Sequence, residues 1–147
     1  MKKAIIAVLV LVIGFVIGIV VVGRTFYPDN IAQTSPDGGK KALKTRTYQS
    51  EASTVRKASV EVIRNLSSWG SSWKVADVTD AGSEMRVKAE VPVVLFTDDL
   101  EVTIKDTRDG AVKVDVRSQS RVGKSDFGEN ARHVRKFLAA LDARMNK

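Results

Sequence analysis

The sequence predicts an α+β protein, in which an N-terminal transmembrane helix precedes a small domain with helices on one face of an antiparallel sheet. Three observations predict it. A long apolar run lies near the N-terminus, two segments carry apolar residues at helical spacing, and several segments between them alternate apolar and polar residues. Alternation with a period of two is typical of strands that are buried on one face only, as in antiparallel sheets. With 147 residues, the chain has room for one modest domain plus an appendage.

The appendage is the apolar run from Ala4 to Val22, which contains no charge and no proline. It is long enough to cross a hydrocarbon core of about 30 Å, and it should cross as a helix because lipid cannot satisfy backbone amides. A cleaved signal peptide is the alternative, but its apolar core is normally about 7–15 residues and ends at a small-x-small site, which Val22-Gly23-Arg24 does not supply. We therefore favour an uncleaved, single-pass signal-anchor. Gly14 and Gly18 have the spacing that permits close contact between membrane helices, which indicates self-association.

Positive charges close to the apolar run predict its orientation. Lys2 and Lys3 precede it, whereas only Arg24 follows it before the basic residues that begin at Lys40. Because positive residues stay on the cytoplasmic side, we expect a cytoplasmic N-terminus and a domain that lies outside the cytoplasm, in the cell envelope. The basic residues from Lys40 to Arg46 reduce this contrast.

We divide the chain into an anchor (1–23), a flexible tether (24–43) and an α+β domain (44–147). The tether is predicted because proline, glycine and polar residues are scattered there without a sustained apolar period.

The domain should begin with a helix from about Ala52 to Ser68, with Ser50 or Ser53 as its N-cap. Trp69 and Trp73, at the turn that follows, are expected in the core. The last helix should begin at Ser125 or Asp126, either of which can cap it, and run to about Arg144. Its predicted buried residues are Ala131, Val134, Phe137, Leu138, Leu141 and Met145.

Four segments between the helices are predicted as strands, and the apolar residues of Pro92–Asp99 are expected to leave the sheet. A fifth strand at Lys44–Tyr48 would add an edge. The four strands are Trp73–Val78, Glu84–Val91, Leu100–Lys105 and Val112–Arg117.

Most of the formal charge of +7 comes from the end of the chain, because residues 113–147 carry nine basic and four acidic side chains. A basic surface beside a membrane could meet anionic headgroups, although a solvated helix face is the simpler interpretation. The chain has no cysteine, which excludes disulfides, thiolate catalysis and Cys-based metal sites. We find no motif for a metal or cofactor, and none for nucleic acid.

The sequence of residues 114–132, VDVRSQSRVGKSDFGENAR, resembles the signature of the domain-of-unknown-function family numbered 1499. Phe96-Thr-Asp-Asp99 resembles its second block and Trp73-Lys-Val its first strand. The resemblance covers about Tyr48 to Leu141. It implies a secreted or membrane-attached protein with no assigned reaction, so it implies no catalytic residues; the layout also loosely resembles lipid-binding helix-grip folds. The residues that match the polar block are Asp98, Asp99, Arg117, Ser118, Ser120, Arg121, Gly123, Ser125, Asp126, Asn130 and Arg132.

The stretch from Ser118 to Ser125, SQSRVGKS, differs at one position from the phosphate-binding loop G-x-x-x-x-G-K-[ST]. A serine in place of the first glycine and an antiparallel setting both argue against nucleotide binding. Two interpretations remain. In one, the start of the last helix binds an anion or another ligand; in the other, which we favour, the loop is a structural cap whose charges are paired. The ligand-binding candidates are Arg117, Ser118, Ser120, Arg121, Gly123, Lys124 and Ser125; the structural partners would be Asp98, Asp99, Asp126, Asn130 and Arg132.

The only histidine, His133, stands among charged residues of the last helix and is expected to be solvated. We predict no catalytic residues, no metal and no cofactor. The predicted function is that of a membrane-anchored envelope protein, a binding or structural module for a small anionic or lipidic ligand. The alternative is an envelope enzyme that acts on an anionic substrate through Arg117, Arg121, Asp98 and Asp99.

Overall fold

A computed structural model describes residues 2–26, 29–39, 41–123 and 125–146. In chain order, its helices and strands are α1 (Lys2–Phe26), β1 (Ile31–Gln33), β2 (Arg46–Tyr48), α2 (Ala52–Asn65), β3 (Ser67–Ser68), β4 (Ser71–Ser72), β5 (Lys74–Asp80), β6 (Glu84–Val93), β7 (Phe96–Asp106), β8 (Val112–Ser120) and α3 (Glu129–Met145).

Six of the strands form one antiparallel sheet in the order β1-β8-β7-β6-β5, and β2 also pairs with β8. The predicted fold class is confirmed, with one strand more than the five that the sequence allowed. The edge strand expected at Lys44–Tyr48 is β2. Strands β3 and β4 make a separate small hairpin.

The β6–β7 hairpin is longer than predicted. Pairing continues to Val93 opposite Phe96, so only Val94 and Leu95 form the turn. The expectation that residues 92–99 leave the sheet is therefore wrong. The apolar run hid the strand because it shows no alternation, although the backbone of Thr97 and Asp98 still pairs with β6.

Part of the segment predicted as a tether is folded onto the sheet. Ile31–Gln33 pairs with the end of β8, and the side chains of Ala32 and Leu43 are buried. The prediction of a flexible tether is wrong for these residues. A strand of three residues is too short to show a period, which explains why the sequence pattern missed it.

Both domain helices lie on the same face of the sheet. α2 packs over β5, β6 and β7, and α3 packs over β7, β8 and β1. Each buried Val, Leu or Phe contributes about 1.5–3 kcal/mol, so this layer dominates the stability. Its largest fully buried members include Val55, Ile63, Val87, Val91, Leu100, Val102, Ile104, Val112, Phe137 and Leu141.

The opposite face of the sheet, which we call the outer face, carries alternating polar side chains. Many of these are paired across strands, which is the expected arrangement for a solvated sheet face. The cross-strand pairs include Lys105–Glu84, Lys88–Glu101 and Arg121–Asp99, and Lys113–Asp115 is a pair within β8.

The helix ends differ from the prediction. The N-cap residue of α2 is Glu51, which makes no side-chain cap hydrogen bond, so neither Ser50 nor Ser53 caps the helix. α2 also ends earlier, at Asn65, because the β3–β4 hairpin follows directly. α3 begins at Glu129 with Gly128 as N-cap, a few residues later than expected.

The two tryptophans lie in different environments. Trp73 is buried in the core, but Trp69 lies at the tip of the β3–β4 hairpin and is 61% exposed. The prediction that both belong to the core is wrong for Trp69, because the short hairpin turns its side chain away from the sheet.

Helix α1 contains an apolar span from Lys2 to Gly23, whose most apolar window has a mean hydropathy of 3.5 and is not buried. By length and composition it could cross a membrane, and a signal sequence would pass the same test. From Ala4 to Val22 every side chain is exposed, and nothing lies within 4 Å of a Cβ placed on Gly14 or Gly18. Self-association through these glycines stays a prediction.

Candidate functional site

A pocket of about 480 Å³ opens at one end of the sheet, where the β6–β7 turn, the end of β8 and the start of α3 meet. Its walls are mainly apolar, and half of its polar lining residues are carboxylates. The lining residues are Trp69, Val93, Phe96, Asp98, Ser120, Val122, Gly123, Ser125, Asp126, Phe127, Glu129 and Arg132.

Asp98 lies at the floor of this pocket. It faces the helices from β7, opposite Ser120 on β8, and is only 3% exposed. Burial raises the pKa of its carboxyl to about 6, and a hydrogen bond with Ser120 partly opposes the rise. Its Oδ2 atom has no hydrogen-bond partner among the described residues. A carboxyl in such a site is partly protonated near neutral pH.

His133 lies beside Asp98 and is also buried, which contradicts the prediction of a solvated histidine. Its ring is 2% exposed and meets Trp73 edge to face at 5.7 Å between centroids. Nδ1 lies 3.5 Å from Asp98 Oδ2, and Nε2 lies 3.4 Å from Glu129 Oε2. Neither nitrogen makes a hydrogen bond within the described structure. Burial lowers the pKa of the imidazole, and the Glu129 carboxylate opposes that shift.

Helical spacing explains the burial of His133. Asn130 and Phe137 are both buried, and position 133 lies between them at intervals of three and four, which places it on the same side of α3. The charged neighbours Arg132 and Lys136 occupy the other arc. The spacing from Phe137 was the signal in the sequence that could have revealed the buried histidine.

Asn130 joins α3 to the end of β8. Ser118 donates a hydrogen bond of 2.6 Å to its Oδ1, and its Nδ2 donates to Ser120 Oγ at 2.8 Å and to the carbonyl of Asn30 at 2.9 Å. Asn130 and Ser118 are fully buried. This network leaves the Asn130 amide satisfied, so these residues act together as a structural junction.

Asp126 holds the first turn of α3. Its carboxylate accepts hydrogen bonds from the backbone N–H groups of Gly128 at 2.8 Å and Asn130 at 2.9 Å. It thereby satisfies amides that a helix start leaves without partners. Ser125 does not cap the helix, because its hydroxyl donates to the carbonyl of Gly23 at 2.9 Å. Lys124 lies outside the described residues.

The arginines predicted for an anion site lie on the outer face. Arg121 contacts Asp99 at 2.6 Å and Glu90 at 2.8 Å, and these carboxylates raise its pKa. Arg117 donates to Gln119 at 2.6 Å. Because Asp98 points to the helices and Asp99 to the outer face, the structure does not bring the four residues of the predicted enzyme cluster together.

Among the described residues of the pocket, the only cationic side chain is Arg132, which pairs with Glu129. Three carboxylates, those of Asp98, Asp126 and Glu129, line the same space. The described part of the chain holds no group of three side chains suited to a metal ion. The pocket therefore suits a molecule with an apolar part and a hydrogen-bond donor at its polar end better than it suits an anion.

Sequence reasoning missed the apolar residues of the pocket. Phe96, Val122 and Phe127 stand singly among polar residues, and Trp69 was assigned to the core. They meet only because three turns converge at one end of the sheet, which no local pattern reveals.

Comparison with known proteins identifies a family without assigning an activity. A family model described as "Protein of unknown function (DUF1499)" matches residues 27–141, which includes the segment around β1. Among solved structures, this chain is similar to the crystal structure of TTHA0849 from Thermus thermophilus, with 10% identity and a TM-score of 0.36 over 78% of this chain and 96% of that chain. The comparison with curated proteins found no match.

Proposed function

We propose that this chain, which belongs to the DUF1499 family of proteins of unknown function, is a membrane-anchored binding module for an amphipathic, lipid-like molecule. The observation that carries the proposal is an apolar pocket beside buried polar atoms that make no hydrogen bond among the described residues: Oδ2 of Asp98 and both ring nitrogens of His133.

Unpartnered buried polar atoms are rare in folded proteins because each costs about 1–3 kcal/mol. Here three of them lie together, on Asp98 and His133. Asp98 lines the pocket, so its carboxyl group can accept a hydrogen bond from a ligand there. Buried titratable groups with shifted pKa values beside an apolar cavity are typical of ligand sites.

The charge of the pocket narrows the class of ligand. With three carboxylates against Arg132, an ammonium or hydroxyl group is favoured at the polar end, and a carboxylate or phosphate is disfavoured. Of the two ligand classes predicted from the sequence, the lipidic one is therefore supported better than the anionic one. The apolar walls, which include Phe96 and Val122, would hold a hydrocarbon part.

The anchor is the second half of the proposal. We take α1 as an uncleaved membrane span with its N-terminus in the cytoplasm and the domain in the cell envelope. The length and hydropathy of Lys2–Gly23 support a span, and Lys2 and Lys3 before it support the orientation.

Binding can be tested with three short amphiphiles that share a chain and differ in the polar group: hexylamine, 1-hexanol and hexanoate. The full chain is placed in phosphatidylcholine nanodiscs and carries a purification tag without histidine, so that NMR signals of the only imidazole come from His133. We expect hexylamine and hexanol to shift these signals at concentrations about tenfold lower than hexanoate, which corresponds to about 1.4 kcal/mol.

The matched variants are Asp98→Asn and Asp99→Asn, neighbours on β7 that point to opposite faces. We expect Asp98→Asn to lose the preference for hexylamine over hexanoate and Asp99→Asn to keep it. Equal responses to all three amphiphiles, or a preference unaffected by Asp98→Asn, would contradict the proposal.

A second candidate function is acid–base catalysis on the bound molecule. Burial raises the pKa of Asp98 to about 6 and lowers that of His133, so a carboxyl group that can hold a proton lies 3.5 Å from a neutral imidazole nitrogen that can accept one. Its test is mass spectrometry of a membrane lipid extract incubated with the full chain. A product formed by the wild type and absent with Asp98→Asn supports catalysis, and an unchanged extract favours binding alone.

A further inference from the structure

The pocket end of the domain exposes an unusual concentration of apolar side chains. Outside α1, all large apolar side chains that are exposed in the described structure lie there, except Val78 on β5. We call this group the apolar end. It consists of Trp69, Val94, Leu95, Phe96, Val122 and Phe127.

Backbone conformation shows that the apolar end is built against local preference. Trp69, Val94 and Phe127 have φ angles of 51°, 27° and 51°, in the region that favours glycine and asparagine. Such positions cost about 1–3 kcal/mol each and collect at functional sites. Each of three turns at this end carries a bulky apolar residue at a positive φ angle. Glycine or asparagine would adopt that angle with less strain.

The C-terminal part of α1 lies against the same end. Ser125 donates a hydrogen bond to the carbonyl of Gly23 at 2.9 Å, and Gly23 is buried. A Cβ at Gly23 would lie 2.6 Å from Cζ of Phe127, so a larger residue at position 23 would force the Phe127 ring to shift. The 22 residues Lys2–Gly23 rise about 33 Å as a helix, against about 30 Å for a hydrocarbon core. Gly23 therefore reaches the membrane surface, and Phe127 lies with it.

We propose that the apolar end is a membrane-docking surface that rests in the interfacial zone of the lipid bilayer, so that the pocket opens toward lipid. The proposal rests on the anchor proposed above. A contiguous exposed apolar patch marks an interaction site, and the contact between Gly23 and Phe127 identifies the bilayer as its partner. Trp69 suits this position because tryptophan favours the interface of membrane and water.

In this arrangement the domain does not swing freely on its anchor. Leu95 and Val94, at the tip of the β6–β7 hairpin, enter the headgroup region, and Val122 lines the pocket. A lipid-like ligand can then pass between bilayer and pocket without crossing water.

The two tryptophans provide the test. The full chain is reconstituted in phosphatidylcholine vesicles with and without bromine on the acyl chains, which quenches nearby tryptophan. Trp73 is buried, so the emission lost in Trp69→Phe belongs to Trp69. We expect bromine to reduce the Trp69 emission about twofold and that of Trp73 much less, because interfacial tryptophans lie at headgroup depth.

Leu95→Asp should abolish most of this quenching, and Val78→Asp, the matched change at an exposed apolar residue elsewhere, should not. Quenching absent from the wild type, or equal loss in both variants, would overturn docking. Shielding of Trp69 by a second copy of the chain, seen as cross-linked dimer with no effect of bromine, would also overturn it.

Alkaline carbonate extraction separates this proposal from the anchor. A chain that stays in the membrane pellet while Trp69 escapes quenching refutes docking alone. A chain released into the supernatant refutes the anchor, and docking with it. Ligand binding at the pocket is measured separately through the shifts of His133.

Discussion

Two adjacent residues of β7 show how differently this sheet treats its faces. Asp98 is buried beside a histidine, with an oxygen that makes no hydrogen bond among the described residues and a raised pKa. Asp99, one residue later, lies on the outer face and pairs with Arg121 in solvent. The residue type is the same, so the side of the sheet decides its chemistry. The outer face is closed by its own ion pairs, whereas Asp98 lines the pocket on the helix side of the sheet.

The largest expected difference in stability between variants of the two faces concerns the hydrogen-bonded junction around Asn130. Asn130→Ala should destabilise the domain by about 2–4 kcal/mol, because it leaves buried Ser118 without its acceptor and breaks the links to Asn30 and Ser120. Gln119→Ala, on the outer face of the adjacent strand, is the control and should cost at most about 0.5 kcal/mol. Chemical denaturation of the full chain in nanodiscs, followed by Trp73 fluorescence, measures both. A similar small loss in the two variants would show that the junction is not a structural unit.

The second prediction concerns pH and the pocket floor. Asp98 has a folded pKa of about 6 against an ordinary value of 3.8, so the fold binds its proton more tightly than the unfolded chain does. Its favourable contribution is complete below about pH 3.8 and is lost as the pH rises through 6. Asp98→Asn should therefore stabilise the fold by about 2 kcal/mol at pH 8 and by little at pH 4.

The charged groups around Asp98 shift its pKa in the same direction as burial does. Asp126, Glu129 and Asp99 all raise its pKa through their negative charge. His133 works in the opposite direction with its lowered pKa, because its contribution is present above its usual value of 6.5 and lost on acidification. Thermal unfolding of wild type and Asp98→Asn at both pH values decides the matter. A variant that is less stable than wild type at pH 8 would mean that Asp98 has a stabilising partner as a carboxylate.

The smallest predicted effect belongs to the outer face. Arg121→Ala should change the free energy of unfolding by at most about 1 kcal/mol, because its pairs with Asp99 and Glu90 are exposed and weakened by solvent. The loss should shrink further as salt is added. Unfolding at low and high ionic strength measures it, and a large loss that is independent of salt would contradict the view of this face as a solvated ladder.

Local sequence patterns predicted the structural features that depend on a single segment of the chain. The alternation in β6, β7 and β8 identified the sheet. The sequence did not predict β1, because three residues cannot show a period.

The pocket forms where several segments of the chain meet. Local sequence patterns carry less information about contacts between distant segments. The charged neighbours of His133 led to the prediction of a solvated side chain. Its spacing from Phe137, however, places it on the side of the helix that the sheet buries. Trp69 and Trp73 look alike in the sequence, and only the hairpin between them separates a core residue from an exposed one.

The central claim is that Asp98, backed by His133, forms the floor of a ligand site. NMR of the His133 ring in the full chain, titrated in nanodiscs with and without hexylamine, tests it most directly. We predict that the free ring stays neutral below the usual pKa of about 6.5, and that hexylamine shifts its signals in the wild type and not in Asp98→Asn. A ring that titrates at its ordinary value and does not respond to hexylamine would contradict the account.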